Sequence, residues 1–224
     1  MAKRPLFLST SNSQQFFKEV EIEFKFFNGF SLTQKAKSIV SLHQSANIQG
    51  IDNILEVSTK SSLAIGWALS AFNLMIDFDG DKKISLECAF QGSKIFEGEK
   101  QYKDIYLKSS LEAKKDPRLK TSGAIIGFEF EGEYWDNEPK TAFYDWMYIK
   151  ALYQNNPQTL DELCTYTAFT DIEFNPAKSI NCQAKTCAIL VSLIKQQKIE
   201  EALSSKEKFI EMVYPKVLVQ NRLF

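Results

Sequence analysis

The chain has 224 residues, a mass of 25.6 kDa and a formal net charge of −1, and its 44% hydrophobic and 25% charged residues are typical of a globular protein with one large domain. It contains a single histidine, His43, which excludes zinc and iron sites that require two histidine ligands. The only arginines are Arg4, Arg118 and Arg222, so a site built from several bidentate arginine–phosphate pairs is also excluded, and phosphate contacts would depend on lysines and backbone N–H groups.

The sequence predicts a cytoplasmic chain that neither crosses a membrane nor binds a metal. The basic start of residues 1–10 is followed by too short an apolar run for a signal peptide. The longest apolar stretch, residues 187–194, is far below the roughly 20 residues that a membrane span needs. The four cysteines lack the Cys-x-x-Cys spacing of zinc sites, so we expect reduced thiols, most of them buried. They are Cys88, Cys164, Cys182 and Cys187.

The first predicted elements are a strand and a helix. Residues 20–27 alternate between apolar and charged side chains, which is the period of a half-exposed strand. Ser31 followed by Gln34 is typical of a capping box, and the helix that it starts should end before Gly50. The apolar face of this helix would consist of Leu32, Ala36, Ile39 and Val40. His43 continues this face, so we expect an interfacial helix residue, although a single histidine could also act as a catalytic base.

Short elements follow in the next part of the chain. Residues 54–57 predict a strand, residues 62–71 a helix and residues 73–78 an extended segment. Residues 79–81 predict a turn between two short strands. The acidic run that begins at Asp77 resembles the start of a calcium loop, but it lacks the glycine and the terminal glutamate of that loop, so we expect no calcium site.

The next predicted helix, residues 86–96, carries the first candidate site. Glu87, Gln91 and Lys94 are spaced i, i+4 and i+7 and therefore share one polar stripe. A carboxylate and an ammonium group two turns apart can polarise a leaving group and hold an anion or a sugar. The alternative is an ordinary solvent-facing stripe. The buried side of the helix would consist of Leu86, Ala89, Phe90, Ser93 and Phe96.

Residues 100–120 form the only basic cluster in an otherwise neutral chain. They include a predicted helix at residues 103–115, which should end at Asp116-Pro117. The cluster is either a solvated helix face or a contact for nucleic acid or phosphate. Its basic residues are Lys100, Lys103, Lys108, Lys114, Lys115, Arg118 and Lys120.

The C-terminal half completes a helix-rich α+β fold. The pattern predicts strands at residues 124–131 and 170–174 and helices at residues 141–154, 159–168, 180–195 and 200–214. Strands and helices do not alternate evenly and no glycine-rich phosphate loop is present, which disfavours a nucleotide-binding parallel sheet.

Two segments of this half could carry chemistry. Residues 143–146, Phe-Tyr-Asp-Trp, place bulky rings beside an acid. Trp146 could stack on a base, although a tryptophan in such a helix is more often part of the core. Residues 170–185 combine acids, lysines and amides with the start of a helix, whose free N–H groups suit a phosphate.

The ordered set of segments resembles the signature of the NADAR superfamily. Residues 69–74, Leu-Ser-Ala-Phe-Asn-Leu, resemble its Leu-Ser-Asn-Phe segment, and residues 86–96 resemble its Glu-x-x-Phe-Gln-x-x-Lys-x-Phe helix. Asp145-Trp146 resembles its Asp-Trp segment, and residues 170–173 resemble its short strand that ends in glutamate. The resemblance spans about residues 66–195.

The chain also departs from the common family pattern. Cys88 stands where a histidine is usual, and no Asp-x-x-Trp-Gly element follows Glu173. These features resemble the branch of NADAR proteins that act as antitoxins beside DarT-type DNA ADP-ribosyltransferases. The resemblance implies a helix-rich α+β catalytic domain at residues 66–224, with residues 1–65 as an N-terminal strand–helix extension packed on it.

Carried onto this chain, the resemblance implies a catalytic group of Glu87, Lys94 and Glu173. Glu87 would be the carboxylate at the glycosidic carbon, Lys94 an electrostatic partner or a nucleophile at the sugar, and Glu173 a second pocket carboxylate. Trp146 would stack on the substrate or form a wall of the pocket. The other candidates for substrate binding are Asn73, Gln91, Lys178, Asn181 and Lys185, of which the last three could replace the missing element by contacting phosphates.

The resemblance implies an enzyme that removes ADP-ribose from guanine bases in DNA, as the antitoxin of a DNA ADP-ribosyltransferase. Such a cleavage passes through an oxocarbenium-like state, which carboxylates can stabilise without a cofactor or a metal. The implied partners are ADP-ribosylated single-stranded DNA or ADP-ribose, and a cognate DarT-type toxin. Two alternatives stay open. The first is an N-glycosidase of a small phosphorylated ribosyl metabolite, and the second is a non-catalytic antitoxin that neutralises a toxin by contact.

Overall fold

A computed structural model of the chain describes residues 1–215, apart from residues 13, 81 and 156 and the side chains of residues 155 and 157. The strands are β1 (Ala2–Leu8), β2 (Lys18–Phe24), β3 (Ile54–Glu56), β4 (Met75–Phe78), β5 (Lys82–Ser85), β6 (Lys94–Phe96), β7 (Lys100–Gln101), β8 (Ile125–Phe130), β9 (Glu133–Asp136) and β10 (Ala168–Thr170). The α-helices are α1 (Leu32–Ile48), α2 (Ala64–Ala68), α3 (Leu86–Gly92), α4 (Ser110–Lys115), α5 (Arg118–Thr121), α6 (Ala142–Asn155), α7 (Pro157–Leu163), α8 (Gln183–Lys195), α9 (Ile199–Leu203) and α10 (Lys206–Val213), and a 3-10 helix spans Lys103–Leu107. The predicted α+β class is confirmed. Asp81 and Arg222, which the sequence analysis includes, lie outside the described residues.

The N-terminal segment is joined to the rest of the chain through one sheet. Its strand order is β2-β1-β10-β3, in which β1 pairs antiparallel with β2 and β10, and β3 pairs parallel with β10. Residues 1–65 therefore supply the strands on both sides of β10. The division of the chain at residue 65 stays a prediction.

Helix α1 covers one face of this sheet with a different stripe from the predicted one. Its buried apolar residues are Ile39, Leu42 and Ala46, which pack on strand residues such as Leu6 and Phe24 in a small second core. The spacing of three and four residues keeps these side chains on one side of the helix. Of the predicted face only Ile39 is confirmed as buried. Leu32 is 68% and Val40 is 54% exposed.

The main core is built around α6 and α8, which are buried over most of their length. The hydroxyl of Tyr148 on α6 donates a hydrogen bond to the carbonyl of Leu69, at 2.6 Å, and so holds the segment after α2 against this core. The β4–β5 hairpin follows that segment and leads directly into α3. The third sheet, in the order β7-β6-β8-β9, lies after α3. Within the described residues, no helix combines the length and apolar character that crossing a bilayer would require.

The predicted helix at residues 86–96 is wrong in its second half. Helix α3 ends at Gly92, and Lys94–Phe96 form the strand β6, which pairs with β8. A side chain at position 92 would meet the ring of Tyr106, because a Cβ placed there would lie 2.4 Å from a ring carbon. Glycine at this position therefore lets the ring of Tyr106 pack against the end of α3, and the chain enters β6 two residues later, at Lys94.

Other element boundaries differ from the predicted ones, and in two places the reason is a serine that caps a new helix. The predicted helix at residues 103–115 is interrupted at Ser109, which forms a capping box with Glu112 and starts α4. The predicted strand at residues 170–174 ends at Thr170, and the predicted helix at residues 200–214 is two helices, because Ser205 caps α10. The predicted helix at residues 180–195 begins at Gln183. The strands at residues 20–27, 54–57 and 124–131 and the helices at residues 62–71, 141–154 and 159–168 are confirmed with shifted ends.

Candidate active site

A cleft of about 1020 Å³ opens between α3, the start of α6 and the segment that joins β10 to α8. It is large enough for a nucleotide-sized ligand. The cleft brings together six of the nine predicted site residues. These are Glu87, Gln91, Lys94, Glu173, Lys178 and Asn181.

Glu87, Gln91 and Lys94 form a hydrogen-bonded chain at the bottom of the cleft. The amide nitrogen of Gln91 donates to Glu87 Oε1 at 2.9 Å, and the amide oxygen of Gln91 accepts from Lys94 Nζ at 2.6 Å. Glu87 is 7% exposed, so its carboxylate is held almost free of bulk water. The Gln91 amide therefore holds the Glu87 carboxylate on one side and the Lys94 amine on the other.

Local structure explains this placement. Ser85 caps α3 by accepting a hydrogen bond from the N–H of Cys88, and the N–H of Glu87 donates to the carbonyl of Ala71 at 2.9 Å. Glu87 lies in the first turn of the helix, where the helix dipole favours a negative charge. Lys94 is placed by the pairing of β6 with β8, opposite Phe128.

The environment of Lys94 favours its neutral form. Burial lowers the pKa of Lys94 to about 8, while the charge of Glu87 acts in the opposite direction. The amine also lies 4.8 Å from the centre of the Phe90 ring, which attracts its charged form. Both protonation states of Lys94 are therefore accessible near neutral pH.

Aromatic rings form one wall of the cleft. Phe128 stacks on Phe143 with ring centres 4.7 Å apart and on Phe90 with centres 5.6 Å apart, and Tyr144 meets Phe90 edge-on. All four rings line the cleft. Phe143 and Tyr144 belong to the predicted aromatic segment at residues 143–146, whereas Phe90 and Phe128 were not predicted to contribute. Phe128 is partly exposed while the other three rings are buried, so Phe128 is the ring that can stack against a planar base.

Trp146, predicted to stack on the substrate, does not line the cleft. It lies about 200° around α6 from Tyr144, since a helix turns about 100° per residue. Its ring packs on Trp135 with centres 5.0 Å apart and is 8% exposed. Helical periodicity in residues 142–155 could have shown that Tyr144 and Trp146 lie on different faces of α6, one toward the cleft and the other toward Trp135.

Asn73, predicted to bind substrate, instead stabilises a turn of the backbone beside the cleft. Its amide nitrogen donates to the carbonyl of Trp67 at 2.9 Å and to Ser70 Oγ at 2.8 Å. These bonds shape the turn at residues 70–72, which lines the cleft, whereas the side chain of Asn73 does not. Gln183, which the sequence analysis missed, supports the same turn, because its side-chain oxygen accepts from the N–H of Ala71 and its nitrogen donates to the carbonyl of Val57.

Lys185, predicted to contact phosphate, is engaged in the protein interior. Its amine lies 3.1 Å from Asp145 Oδ2 and 2.8 Å from Thr141 Oγ1. Asp145 is fully buried and also accepts hydrogen bonds from the hydroxyls of Thr186 and Tyr214. Lys185 therefore neutralises a buried carboxylate and is not available to a ligand in the cleft.

We expect Lys185→Met to lower the free energy of unfolding by about 3 kcal/mol, because it leaves the buried charge of Asp145 without its cation. The measurement is equilibrium unfolding in urea. Lys178→Met is the matched control, since Lys178 is exposed at the rim, and we expect it to change stability by about 0.5 kcal/mol or less. A loss below about 1 kcal/mol for Lys185→Met would contradict the role of the ion pair.

The segment after β10 forms the outer rim of the cleft. Glu173 is 41% exposed and pairs with Lys35 of α1, with the two charged atoms 2.6 Å apart. Lys178 is exposed, and the side-chain oxygen of Asn181 is buried with no hydrogen bond from the described residues. Asp171, which belongs to the predicted polar segment at residues 170–185 but had no predicted role, also lines the cleft.

Lysines surround the mouth of the cleft. Lys60, Lys114, Lys140 and Lys178 line it, and none of them forms an ion pair within the part of the chain that the structure describes.

The predicted basic cluster contributes only one of these lysines, Lys114. Three other members are bound to acids within the fold. Lys103 pairs with Glu129, and Lys108 and Arg118 both pair with Asp116. Among the described residues, no group of three or more histidine, cysteine, aspartate or glutamate side chains is placed to hold a metal ion.

Comparison with known proteins identifies the family of the chain. A search among curated proteins found no similar sequence. The sequence model of a family described as "DarT1-associated NADAR antitoxin" matches residues 2–222, which is almost the whole chain and includes the N-terminal segment that precedes the NADAR-like motifs. The chain therefore belongs to the family of DarT1-associated NADAR antitoxins.

Proposed function

We propose that this protein is an ADP-ribosyl hydrolase that cleaves the N-glycosidic bond between ADP-ribose and guanine in DNA, and that it thereby acts as the antitoxin of a DarT-type DNA ADP-ribosyltransferase. The observation that carries the proposal is the chain of Glu87, Gln91 and Lys94 at the bottom of a nucleotide-sized cleft. Membership of an antitoxin family supports the biological role.

The chemistry of this chain suits the cleavage of an N-glycosidic bond. Positive charge develops at the anomeric carbon and ring oxygen of the ribose as the bond to the base breaks. A buried carboxylate, Glu87, would stabilise that charge and accept a proton from the attacking water. Gln91 holds Glu87 in place from one side, so the carboxylate needs no rearrangement during the reaction.

Lys94 could take part in two ways. As an ammonium group it would stabilise negative charge on the departing base or on the diphosphate. As a neutral amine it would attack the anomeric carbon, and the bond to the base would break with its electron pair passing to the base, which takes a proton from solvent. A proton would then pass from the lysine nitrogen to the ring oxygen as the ribose opens to an iminium, and water would hydrolyse the iminium to release ADP-ribose and the free lysine. A pKa of about 8 makes both forms available at neutral pH.

The rest of the cleft suits an ADP-ribosylated nucleic acid. Phe128, the partly exposed ring of the aromatic wall, offers stacking surface for a base, and the buried rings of Phe90 and Phe143 hold it in place. The unpaired lysines at the mouth would contact the diphosphate and the DNA backbone without reading the sequence. Glu173 would be the second carboxylate of the site, with Lys178 and Asn181 on the same rim segment as phosphate contacts.

We expect the purified protein to release ADP-ribose from guanine-ADP-ribosylated single-stranded DNA, because the cleft combines a buried carboxylate with stacking and phosphate-binding groups. Released ADP-ribose would be measured by chromatography, with unmodified DNA as the blank. Phosphorylated ribosyl metabolites tested in parallel would distinguish the small-substrate alternative. Protection from the toxin without any release of ADP-ribose would contradict hydrolysis and would favour neutralisation by contact.

A further inference from the structure

Asp171 is a buried carboxyl group of the cleft that the predicted catalytic residues do not include. It follows β10, lines the cleft and is 9% exposed. Its Oδ1 accepts hydrogen bonds from the N–H groups of Glu173 at 2.9 Å and Phe174 at 3.2 Å. In the described part of the chain, no hydrogen bond reaches Oδ2 and no ion pair includes Asp171. Oδ2 is therefore the oxygen that remains for a ligand.

A second buried carboxyl group, Glu56, lies close to Asp171 at the end of β3. Its oxygens accept hydrogen bonds from Ser58 Oγ at 2.6 Å, from Thr170 Oγ1 at 2.7 Å and from the N–H of Ile172 at 2.8 Å. His43 joins the network, with Nε2 at 2.8 Å from Thr170 Oγ1. Because burial lowers the pKa of His43 to about 4, the imidazole brings no positive charge at neutral pH.

The two carboxyl groups differ in which of them can hold a charge. Burial raises the pKa of both groups, and the charge of Glu56 contributes to a pKa of about 8 for Asp171. Three donors stabilise an anion at Glu56, whereas Asp171 accepts two hydrogen bonds, both at Oδ1, and also feels the charge of Glu56. The pair therefore places its negative charge on Glu56 and its proton on Asp171 at neutral pH.

The other groups around Asp171 preserve this state. Four neutral groups on α6 and at the start of α8 face it, and burial raises the pKa of each of them, so they stay uncharged at neutral pH. These are Tyr144, Tyr148, Cys182 and Cys187. Glu173 and Lys35 are further charged groups near this segment and pair with each other, and the charge of Glu173 raises the pKa of Asp171.

We propose that Asp171 is a further catalytic residue, which donates its proton from Oδ2 to the leaving base; this role rests on the proposed function. As the C–N bond breaks, its electron pair passes to the base nitrogen, and the proton of Asp171 neutralises the base. The oxygen of water bonds to the anomeric carbon, and Glu87 takes a proton from that water. Proton exchange with solvent restores both carboxyl groups, so the net reaction consumes one water. Glu56 is a positioning residue that keeps Asp171 protonated.

Asp171→Asn is expected to lower kcat/KM on guanine-ADP-ribosylated single-stranded DNA by about 10²-fold at pH 7, because the amide cannot transfer a proton. The matched control is Asp136→Asn on β9, an exposed aspartate that does not line the cleft, and its activity should equal that of the wild type. Activity of Asp171→Asn within about threefold of the wild type would overturn the proposal.

Glu56→Gln tests the proposal through the pH dependence of kcat/KM, which would not change if Glu56 had only a structural role. In the wild type, kcat/KM should fall as the pH rises past about 8, where Asp171 loses its proton. Removing the charge of Glu56 lowers the pKa of Asp171, so this fall should move to lower pH. Titration of Lys94 should stay in place, because its pKa depends on burial and on Glu87. An unchanged pH profile in Glu56→Gln would overturn the proposal. This test does not depend on Asp171→Asn, so it remains valid if that variant fails to fold.

Infrared spectroscopy separates this proposal from the proposed function. The wild type should show the band of a protonated carboxyl group at pH 7, and this band should disappear in Asp171→Asn. If the band is present but the wild type releases no ADP-ribose, the proposed function is refuted, whereas the protonated state of Asp171 at pH 7 is shown. Absence of the band at pH 7 would overturn the role of Asp171 even in an active enzyme.

Discussion

Glu87→Gln is expected to lower kcat/KM for ADP-ribose release by about 10⁴-fold while the protein stays folded. The amide keeps the shape of the side chain and can still accept the hydrogen bond from Gln91 Nε2. It cannot carry the negative charge that stabilises the oxocarbenium-like state, and it cannot take a proton from water. The whole loss should therefore come from chemistry and not from packing.

The measurement is the rate of ADP-ribose release under single-turnover conditions, together with a thermal melt. Glu211→Gln on α10 is the matched control, because this exposed glutamate lies outside the cleft. We expect its activity to be unchanged. A fully active Glu87→Gln variant would refute the assignment of Glu87. An active variant in toxin rescue without ADP-ribose release would refute hydrolysis as the antitoxin mechanism.

The sequence predicted that Glu87, Gln91 and Lys94 lie together, and this prediction holds although the predicted helix at residues 86–96 ends early, at Gly92. Glu87 and Gln91 are one helical turn apart, so their contact follows from periodicity alone. Lys94 lies on a strand, yet the chain turns at Gly92 in such a way that its amine still reaches Gln91. Spacing along the chain brought the three residues together even though the predicted helix was too long.

The parts of the site that the sequence did not predict depend on contacts between distant segments. The strand β6 has three residues and exists because β8 pairs with it, and the same pairing brings Phe128 to the aromatic wall. Asp171 is buried through the parallel pairing of β10 with β3, which also brings Glu56 beside it. Such pairings leave no periodic signal in short segments, whereas long helices such as α6 and α8 were predicted from their own pattern.

Lys94→Met is expected to lower kcat/KM by about 10³-fold, whichever protonation state of the lysine is active. Thermal stability at pH 7 should not fall, because the substitution removes an amine whose charge is costly to bury. The pKa of Lys94 is about 8 in the folded protein, below its ordinary value of 10.5. Burial of the charged amine therefore costs stability below about pH 8, and this cost disappears as the pH rises toward 10.5.

Chemical trapping and the variant Lys94→Arg would show which form of Lys94 reacts. Both tests are independent of the pH profile of the rate, in which Asp171 also titrates near pH 8. A nucleophilic amine predicts that borohydride reduces the iminium to a stable secondary amine between Lys94 and the ribose. An electrostatic ammonium group predicts no trapped adduct and partial activity of Lys94→Arg, which keeps the charge. The matched control is Lys18→Met on β2, an exposed lysine outside the cleft. Gln91 binds both Glu87 and Lys94. If Glu87→Gln and Lys94→Met both lose activity with an unchanged melting temperature, this hydrogen-bonded chain is the chemical centre of the site. Full activity of Lys94→Met would instead leave Glu87 as the only catalytic group of the chain.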